Sequence, residues 1–144
     1  MENNMDSPFK SISILYRKSH IWLNNSCAGL ALTAAQAVVI LIVCDFGTLT
    51  QDEITKRLGL DKSVVAKTVT KLEELGFLQR ATNPRDKRTY DIQPTEKAWQ
   101  VYPGVKEQVE GCFDRMTREM TAKEKAEFRR LLLLAASTTL QQED

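Results

Sequence analysis

The chain has 144 residues, of which 42% are hydrophobic and 27% are charged, and its formal net charge is only +1. These values fit one globular domain that can bury a core, and the three cysteines lack the spacing of a disulfide framework. The longest apolar run, Ala37 to Cys44, is far shorter than the roughly 18 residues of a membrane span. With no signal-peptide pattern at the N-terminus, the sequence predicts a cytoplasmic protein that does not contact a membrane.

Two helices are expected in the first third of the chain. Ser7-Pro8 is a strong helix start, and apolar residues then recur at roughly helical spacing up to about Asn25. After a connection around Cys27, Thr33-x-x-Gln36 forms a capping box that opens a second helix through about Asp45. This helix is apolar nearly all round, which predicts the buried centre of the domain. Its many β-branched residues leave a β-strand as the competing interpretation.

The next stretch has the outline of a helix-turn-helix. Thr50-Gln51-Asp52-Glu53 is a second capping box, and the helix that it opens ends at Gly59, where a missing Cβ allows the left-handed turn. Asp61 is a suitable N-cap for another helix that runs to Leu75 and stops at Gly76. Two helices joined in this way fit a DNA-binding motif whose second helix enters the major groove.

The second helix of this pair has one apolar face and one face suited to DNA. Small, hydroxyl and cationic side chains can touch a thymine methyl, bond base edges or reach phosphates. We expect the base-reading side chains to be Ser63, Ala66, Lys67 and Thr70, with Lys62 and Lys71 holding phosphates beside them. An ordinary solvated face on an amphipathic helix is the alternative.

A charged β-hairpin is predicted directly after the helix-turn-helix, over residues 77–93. Two short strand-like runs flank a loop that contains Asn83-Pro84 as a turn initiator. Such a wing can place cations on the phosphate backbone or in the minor groove. The expected DNA-contacting residues are Arg85, Lys87 and Arg88, with Asp86 stiffening the loop through an ion pair with Arg88. Residues 56–90 hold nine basic and four acidic side chains, a basic segment inside a nearly neutral chain.

Two further helices are predicted after the wing. Thr95 caps a long helix that Pro103-Gly104 should kink or interrupt, and Thr121-x-x-Glu124 is a capping box for the last one. The first helix and these last two are rich in apolar surface for a chain of this size. This surplus indicates an interface in preference to a larger core. In a two-fold dimer these helices would hold two DNA-reading helices about 34 Å apart, the spacing of a palindrome.

Several of these motifs, in this order and spacing, resemble the MarR family of bacterial winged-helix transcription regulators. The motifs are Leu32-Thr33-x-x-Gln36, the helix-turn-helix, Leu72-Glu73-Glu74-Leu75-Gly76-Phe77-Leu78, and Asp86-x-Arg88 followed by Thr95-Glu96-Lys97. Pro94 and Ala98 stand where that family usually has Leu and Gly. The resemblance implies a mainly α-helical fold with a β wing, a homodimer that binds palindromic double-stranded DNA, and often a repressor. It also implies an anionic or aromatic effector near the junction of the two lobes.

We therefore expect a single MarR-like domain over residues 1–144. Within it, residues 7–27 and 104–142 would form the dimerisation helices and residues 30–102 the winged helix-turn-helix. The aromatic side chains that are candidates to line an effector cleft are Tyr16, Trp22, Phe46, Trp99 and Tyr102, although core packing is the better explanation for each single residue.

Other chemistry has weak support in the sequence. His20 is the single histidine, no cysteine pair has zinc-site spacing, and the glycines form no phosphate-binding loop, so we expect no enzyme, metal or cofactor. Two alternatives remain: a winged helix used for protein contact, and a redox sensor acting through Cys27, which lies in a connection by this interpretation.

Overall fold

The computed structural model describes residues 7–143 of the chain and is 71% helical with one small antiparallel sheet. Over these residues the chain forms six α-helices, one short 3₁₀ turn and three strands. In order they are α1 (Pro8–Cys27), the 3₁₀ turn (Ala28–Leu30), α2 (Ala34–Phe46), β1 (Leu49–Thr50), α3 (Gln51–Leu58), α4 (Lys62–Glu74), β2 (Leu78–Thr82), β3 (Tyr90–Pro94), α5 (Glu96–Met116) and α6 (Ala122–Leu140). The expected fold class, mainly helical with a β wing, is confirmed.

Helix starts follow the capping chemistry expected from the sequence. The hydroxyls of Thr33, Thr50 and Thr121 each accept from the backbone N–H three residues on, and the Gln or Glu at that position accepts from the threonine N–H. Asp61 has the extended backbone of an N-cap, but its side chain accepts no capping hydrogen bond. α4 ends one residue earlier than expected, at Glu74, and Gly76 then takes a φ of +85° that favours glycine.

The core is built around α2, as its sequence pattern predicts. The side chains of Ala37, Ile40 and Val43 are fully buried, and α2 contacts α1, α4, α5 and the sheet. The element is a helix and not a strand, because the Thr33 capping box fixes its first turn and packing on all sides satisfies its β-branched residues. The helix-turn-helix therefore packs against α2.

The sheet has the strand order β1-β3-β2, and both pairings are antiparallel. Leu49 pairs with Ile92, so β1 adds a short third strand just before the helix-turn-helix. β2 and β3 pair from Leu78 with Pro94 to Thr82 with Tyr90, and they form the two sides of the wing. Pro94 is the last residue of β3, a position where a missing backbone N–H is tolerated.

The sequence predicts that Pro103-Gly104 kinks or interrupts the long helix, and of these two outcomes the interruption is wrong. α5 runs without a break from Glu96 to Met116 with Pro103 inside it. Packing compensates for the lost backbone hydrogen bond, since α5 contacts both α1 and α2 along its length. A Cβ at Gly104 would lie 3.4 Å from a methyl of Leu30 in the 3₁₀ turn, which is an ordinary van der Waals contact, so the packing at this position does not require glycine.

Among residues 7–143, no single helix is long and apolar enough to cross a membrane. Only the bent pair Pro8–Leu30 and Ala34–Phe46, with an angle of 76° between its halves, passes such a test by length and composition.

Candidate nucleic-acid interface

The helix-turn-helix is held rigidly on the core by the inner face of its second helix. Val65, Val69 and Leu72 of α4 are fully buried, and Ile54 of α3 packs into the same core. The turn between the helices passes through Gly59, which ends α3 with a φ of +63°. Because its inner face is fixed, α4 presents its outer face in one defined orientation.

The outer face of α4 carries the residues expected to read bases. Ser63, Lys67 and Thr70 are exposed and Ala66 is half-buried. A shallow groove runs along this face, lined by Ala66, Lys67, Thr70, Lys71 and Glu74. Four of the six side chains expected on this helix thus line one continuous surface, although their roles in DNA binding remain predictions.

The lysines at the two ends of this face lie near carboxylates. Lys62 Nζ is 3.8 Å from Asp52, and Lys71 Nζ is 4.0 Å from Glu74. All four side chains are more than half exposed, so these ion pairs are weak and can be exchanged for phosphate contacts. Lys67, at the centre of the face, has no carboxylate partner among the described residues.

The wing presents its cations from a structured loop. The Arg88 side chain donates to both oxygens of Asp86, at 3.0 and 3.2 Å, and its backbone N–H donates to the same carboxylate. These bonds hold the pKa of Asp86 below its ordinary value and raise the pKa of Arg88. The ion pair expected from the Asp86-x-Arg88 spacing is present, and Arg85, Lys87 and Arg88 are all exposed beside it.

Two features of the wing have no counterpart in the sequence interpretation. The Nε of Arg80 on β2 donates to both carboxylate oxygens of Glu73 on α4, at 2.8 and 2.9 Å, and so links the wing to α4. Asn83 is buried in the wing loop and bonds to Asp91 on β3. The two partners of each pair lie on different elements, so no regular spacing in the sequence identifies them as partners. The opposite charges of Arg80 and Glu73 and the turn-forming Asn83-Pro84 pair are the sequence features that could have suggested these contacts.

The five aromatic side chains proposed for an effector cleft lie in several different surroundings. Trp22 lines a cavity between α1 and α5, with the guanidinium of Arg115 4.2 Å from its ring centre. Tyr16 packs on His20, Phe46 lies under Arg57, and Trp99 contacts Tyr102 edge to face. The Tyr102 hydroxyl also donates to Asp45, which raises its pKa to about 12. The structure brings Trp99 and Tyr102 together but does not place the other three with them.

The surroundings of Cys27 differ from those expected. Cys27 is the last residue of α1 and not part of a connection, and its side chain is fully buried. Burial raises the pKa of its thiol, as it does for Cys112, and raises that of Cys44 to about 11. Since the thiolate is the reactive form, this environment disfavours oxidation at Cys27. Within the described part of the chain, no three His, Cys, Asp or Glu side chains group as metal ligands.

Comparison with known proteins agrees with the geometry of the helix-turn-helix and wing. The sequence model of the MarR family matches residues 31–89, which run from the start of α2 into the tip of the wing. A crystal structure of MarR superimposes with a TM-score of 0.79 at 27% identity, covering 94% of this chain and 100% of that one. These similarities support a MarR-family winged-helix regulator.

Relatives extend the same similarity over most of the chain. The HTH-type transcriptional regulator YybA of Bacillus subtilis is 24% identical over 128 residues, which are 89% of this chain and 85% of that protein. A mutant MarR from E. coli complexed with operator DNA is 25% identical, with a TM-score of 0.78, over 88% of this chain and 91% of that one. Both proteins are similar to this chain over most of its length, and the second is one that binds operator DNA.

Proposed function

We propose that this chain is a MarR-family regulator and acts as a homodimeric repressor that binds a palindromic operator and releases it when an effector binds. One observation carries the DNA-reading part of this proposal. A core-anchored α4 exposes Ser63, Lys67 and Thr70, and a wing with three exposed cations follows it in the chain. Hydroxyl and cationic groups on a rigid helix fit base edges, and wing cations fit phosphates or a narrow minor groove.

Dimerisation is supported by the apolar surface that a single copy leaves uncovered. No residue of α6 is buried among the described residues, yet the helix carries four consecutive leucines that are 43–68% exposed. On α1, Phe9 is 78% and Ile12 is 62% exposed. Large apolar side chains left exposed in such numbers on two helices are typical of an interface. A second copy with the same exposed faces is the natural partner in a two-fold, self-complementary contact.

A two-fold dimer also explains how the chain would select a palindrome. Two α4 helices related by a two-fold axis present the same side chains to two half-sites. About 34 Å between them would place both in successive major grooves on one side of the duplex. Such a dimer would act wherever the chromosome lies, which is the cytoplasm in a bacterium.

The effector part of the proposal rests on the packing between α1 and α5. The cavity beside Trp22 combines an indole ring with the Arg115 guanidinium, the Gln108 amide and the Ser26 hydroxyl. An aromatic ring and a cation suit a small aromatic or anionic molecule. Release of DNA would be a population shift, so the effector must prefer the lobe spacing that does not fit the operator.

The experiment that tests this proposal is selection from random duplex DNA at two salt concentrations. Enrichment of a palindrome, with affinity that falls steeply as salt rises, is the expected result. Failure to enrich any sequence at low salt would contradict it and favour a winged helix used for protein contact. Adding aromatic carboxylates to the enriched complex then shows whether a molecule of this class releases the DNA.

A further inference from the structure

Asn83 is a polar side chain buried inside an exposed loop. It is only 5% exposed, while Pro84, Arg85 and Lys87 around it are open to solvent. A buried amide requires hydrogen-bond partners for both of its ends, because an unpaired polar group is costly away from water. Asn83 has these partners on both sides.

The oxygen of the Asn83 amide meets hydrogen-bond donors, and its nitrogen meets an acceptor. Its Oδ1 accepts from the backbone N–H of Arg85 at 2.8 Å and of Asp86 at 3.2 Å. Its Nδ2 donates to Oδ1 of Asp91 at 3.0 Å. Two N–H donors on one side and a carboxylate on the other fix the orientation of the amide. A carboxylate of the same shape could satisfy only the first side.

Asp91 anchors this amide to the most constrained strand of the sheet. β3 is the central strand, and Asp91 pairs with Thr50 of β1 on one side and with Ala81 of β2 on the other. From this anchor the bonds continue through Asn83 to the backbone of Arg85 and Asp86, and through the Asp86 carboxylate to Arg88. Two of the three wing cations, Arg85 and Arg88, thus connect to the sheet through a continuous series of hydrogen bonds.

We propose that Asn83 and Asp91 are positioning residues for DNA binding, a latch that holds the wing loop in its DNA-contacting form before DNA arrives. This inference rests on the proposed function, since it assigns a purpose to the wing cations. A loop ordered in advance loses less conformational freedom on binding, so affinity rises without any contact between the latch and DNA. Neither Asn83 nor Asp91 carries a positive charge, and neither needs to touch a phosphate.

Exchanging the two functional groups of the latch provides the test. Asn83→Asp places a second carboxylate against Asp91, and the resulting repulsion should open the loop and weaken operator binding about tenfold. The double variant Asn83→Asp with Asp91→Asn reverses donor and acceptor. It keeps the net charge of the wild type and both backbone contacts of Oδ1. We expect it to bind within about threefold of the wild type.

A matched control separates positioning from simple charge. Thr82→Asp adds one carboxylate to an exposed position next to the latch, where it does not face Asp91. Thr82→Asp should weaken operator binding less than Asn83→Asp does. Adding Asp91→Asn to Thr82→Asp should not bring its operator affinity back towards that of the wild type. In the Asn83→Asp background, Arg88→Ala should cost less than in the wild type, because the arginine is no longer held in place.

Hydrogen exchange at the amides of Arg85 and Asp86 gives a readout that does not depend on DNA. Both amides should exchange faster in Asn83→Asp and slow again in the double variant. Three results would each overturn the latch while the proposed function stands. They are an operator affinity of Asn83→Asp equal to that of the wild type, a loss of affinity in Thr82→Asp as large as in Asn83→Asp, and no recovery of affinity in the double variant. If the wild type binds no duplex at all, the proposed function fails, and the latch loses its role in DNA binding with it.

Discussion

At the scale of single residues, Arg88 is an exposed cation of the wing that we expect to contact a phosphate. Its side chain is 89% exposed and is oriented by Asp86. Since a contact of this kind releases about one counterion, Arg88→Ala should weaken binding to all duplexes and reduce the salt slope of log K by about one unit. Affinity measured at four salt concentrations on the operator and on random DNA checks this.

The control for Arg88 is an arginine that also lies near a carboxylate but outside the reading helix and the wing. Arg118, between α5 and α6, lies 3.6 Å from Glu119 and is 80% exposed. Arg118→Ala should leave the salt slope unchanged. The same slope in Arg88→Ala and wild type would show that this arginine makes no phosphate contact.

Lys67 should act on sequence preference instead of general affinity. It lies at the centre of the exposed face of α4, in the groove shared with Ala66 and Thr70. A lysine that reaches guanine acceptors contributes about 1–3 kcal/mol of discrimination at one base pair. Lys67→Ala should therefore flatten the preference at one symmetric pair of positions when all single-base variants of the operator are compared. Uniform weakening across those variants would assign Lys67 to the backbone instead.

At the scale of secondary structure elements, the start of α3 sets the position of the helix-turn-helix. The Thr50 hydroxyl accepts from the Glu53 N–H at 3.1 Å, and Glu53 accepts from the Thr50 N–H at 2.8 Å. Thr50→Ala should cost about 1 kcal/mol of unfolding free energy, a fall in Tm of about 3 °C for a chain of this size. Thr48→Ala, two residues upstream and exposed, serves as the control and should leave Tm nearly unchanged. A Tm equal to that of the wild type in Thr50→Ala would contradict the stabilising role of the box.

The capping box of Thr50 and Glu53 also makes the stability of the protein depend on pH, with a contribution that is lost in acid. The hydrogen bond from the Thr50 backbone lowers the pKa of Glu53 below its ordinary value of 4.5. A lowered carboxylate pKa stabilises the fold above about 4.5, and this contribution is lost as pH falls through the folded pKa. The stability difference between wild type and Glu53→Gln should therefore be largest near neutral pH and shrink in acid.

Elements of this fold were predictable where the signal is local in the chain. The capping boxes at Thr33, Thr50 and Thr121 need only two residues three positions apart, and each was found where the sequence indicated it. The effect of Pro103 was not predictable from the local sequence, because contacts of α5 with α1 and α2, which are distant in the chain, outweigh its tendency to break a helix. Asn83 and Asp91 meet only when the hairpin closes, so no spacing in the sequence identifies them as partners.

At the scale of the whole molecule, α6 stays outside the core. Val65, Val69 and Ile92 are fully buried in one core, to which α1 contributes Leu23 and α5 contributes Val105. α6 contributes no buried residue among those described, and its leucines are exposed. A dimer would cover this surface and at the same time fix the separation of the two reading helices, so assembly and operator spacing would be set by the same contact.

This coupling predicts that disrupting α6 abolishes operator binding without unfolding the DNA-reading lobe. Leu133, 68% exposed on α6, becomes charged in Leu133→Glu, and two like charges near a two-fold axis should separate the protomers. Light scattering should then report a monomer, circular dichroism should show nearly native helix content, and operator affinity should fall at least about 100-fold. Leu60→Glu makes the same change at a leucine that is 39% exposed in the turn between α3 and α4, and this variant should remain dimeric. A Leu133→Glu protein that stays dimeric would place the interface on another face, whereas a monomer that still binds the palindrome tightly would remove dimerisation from the mechanism.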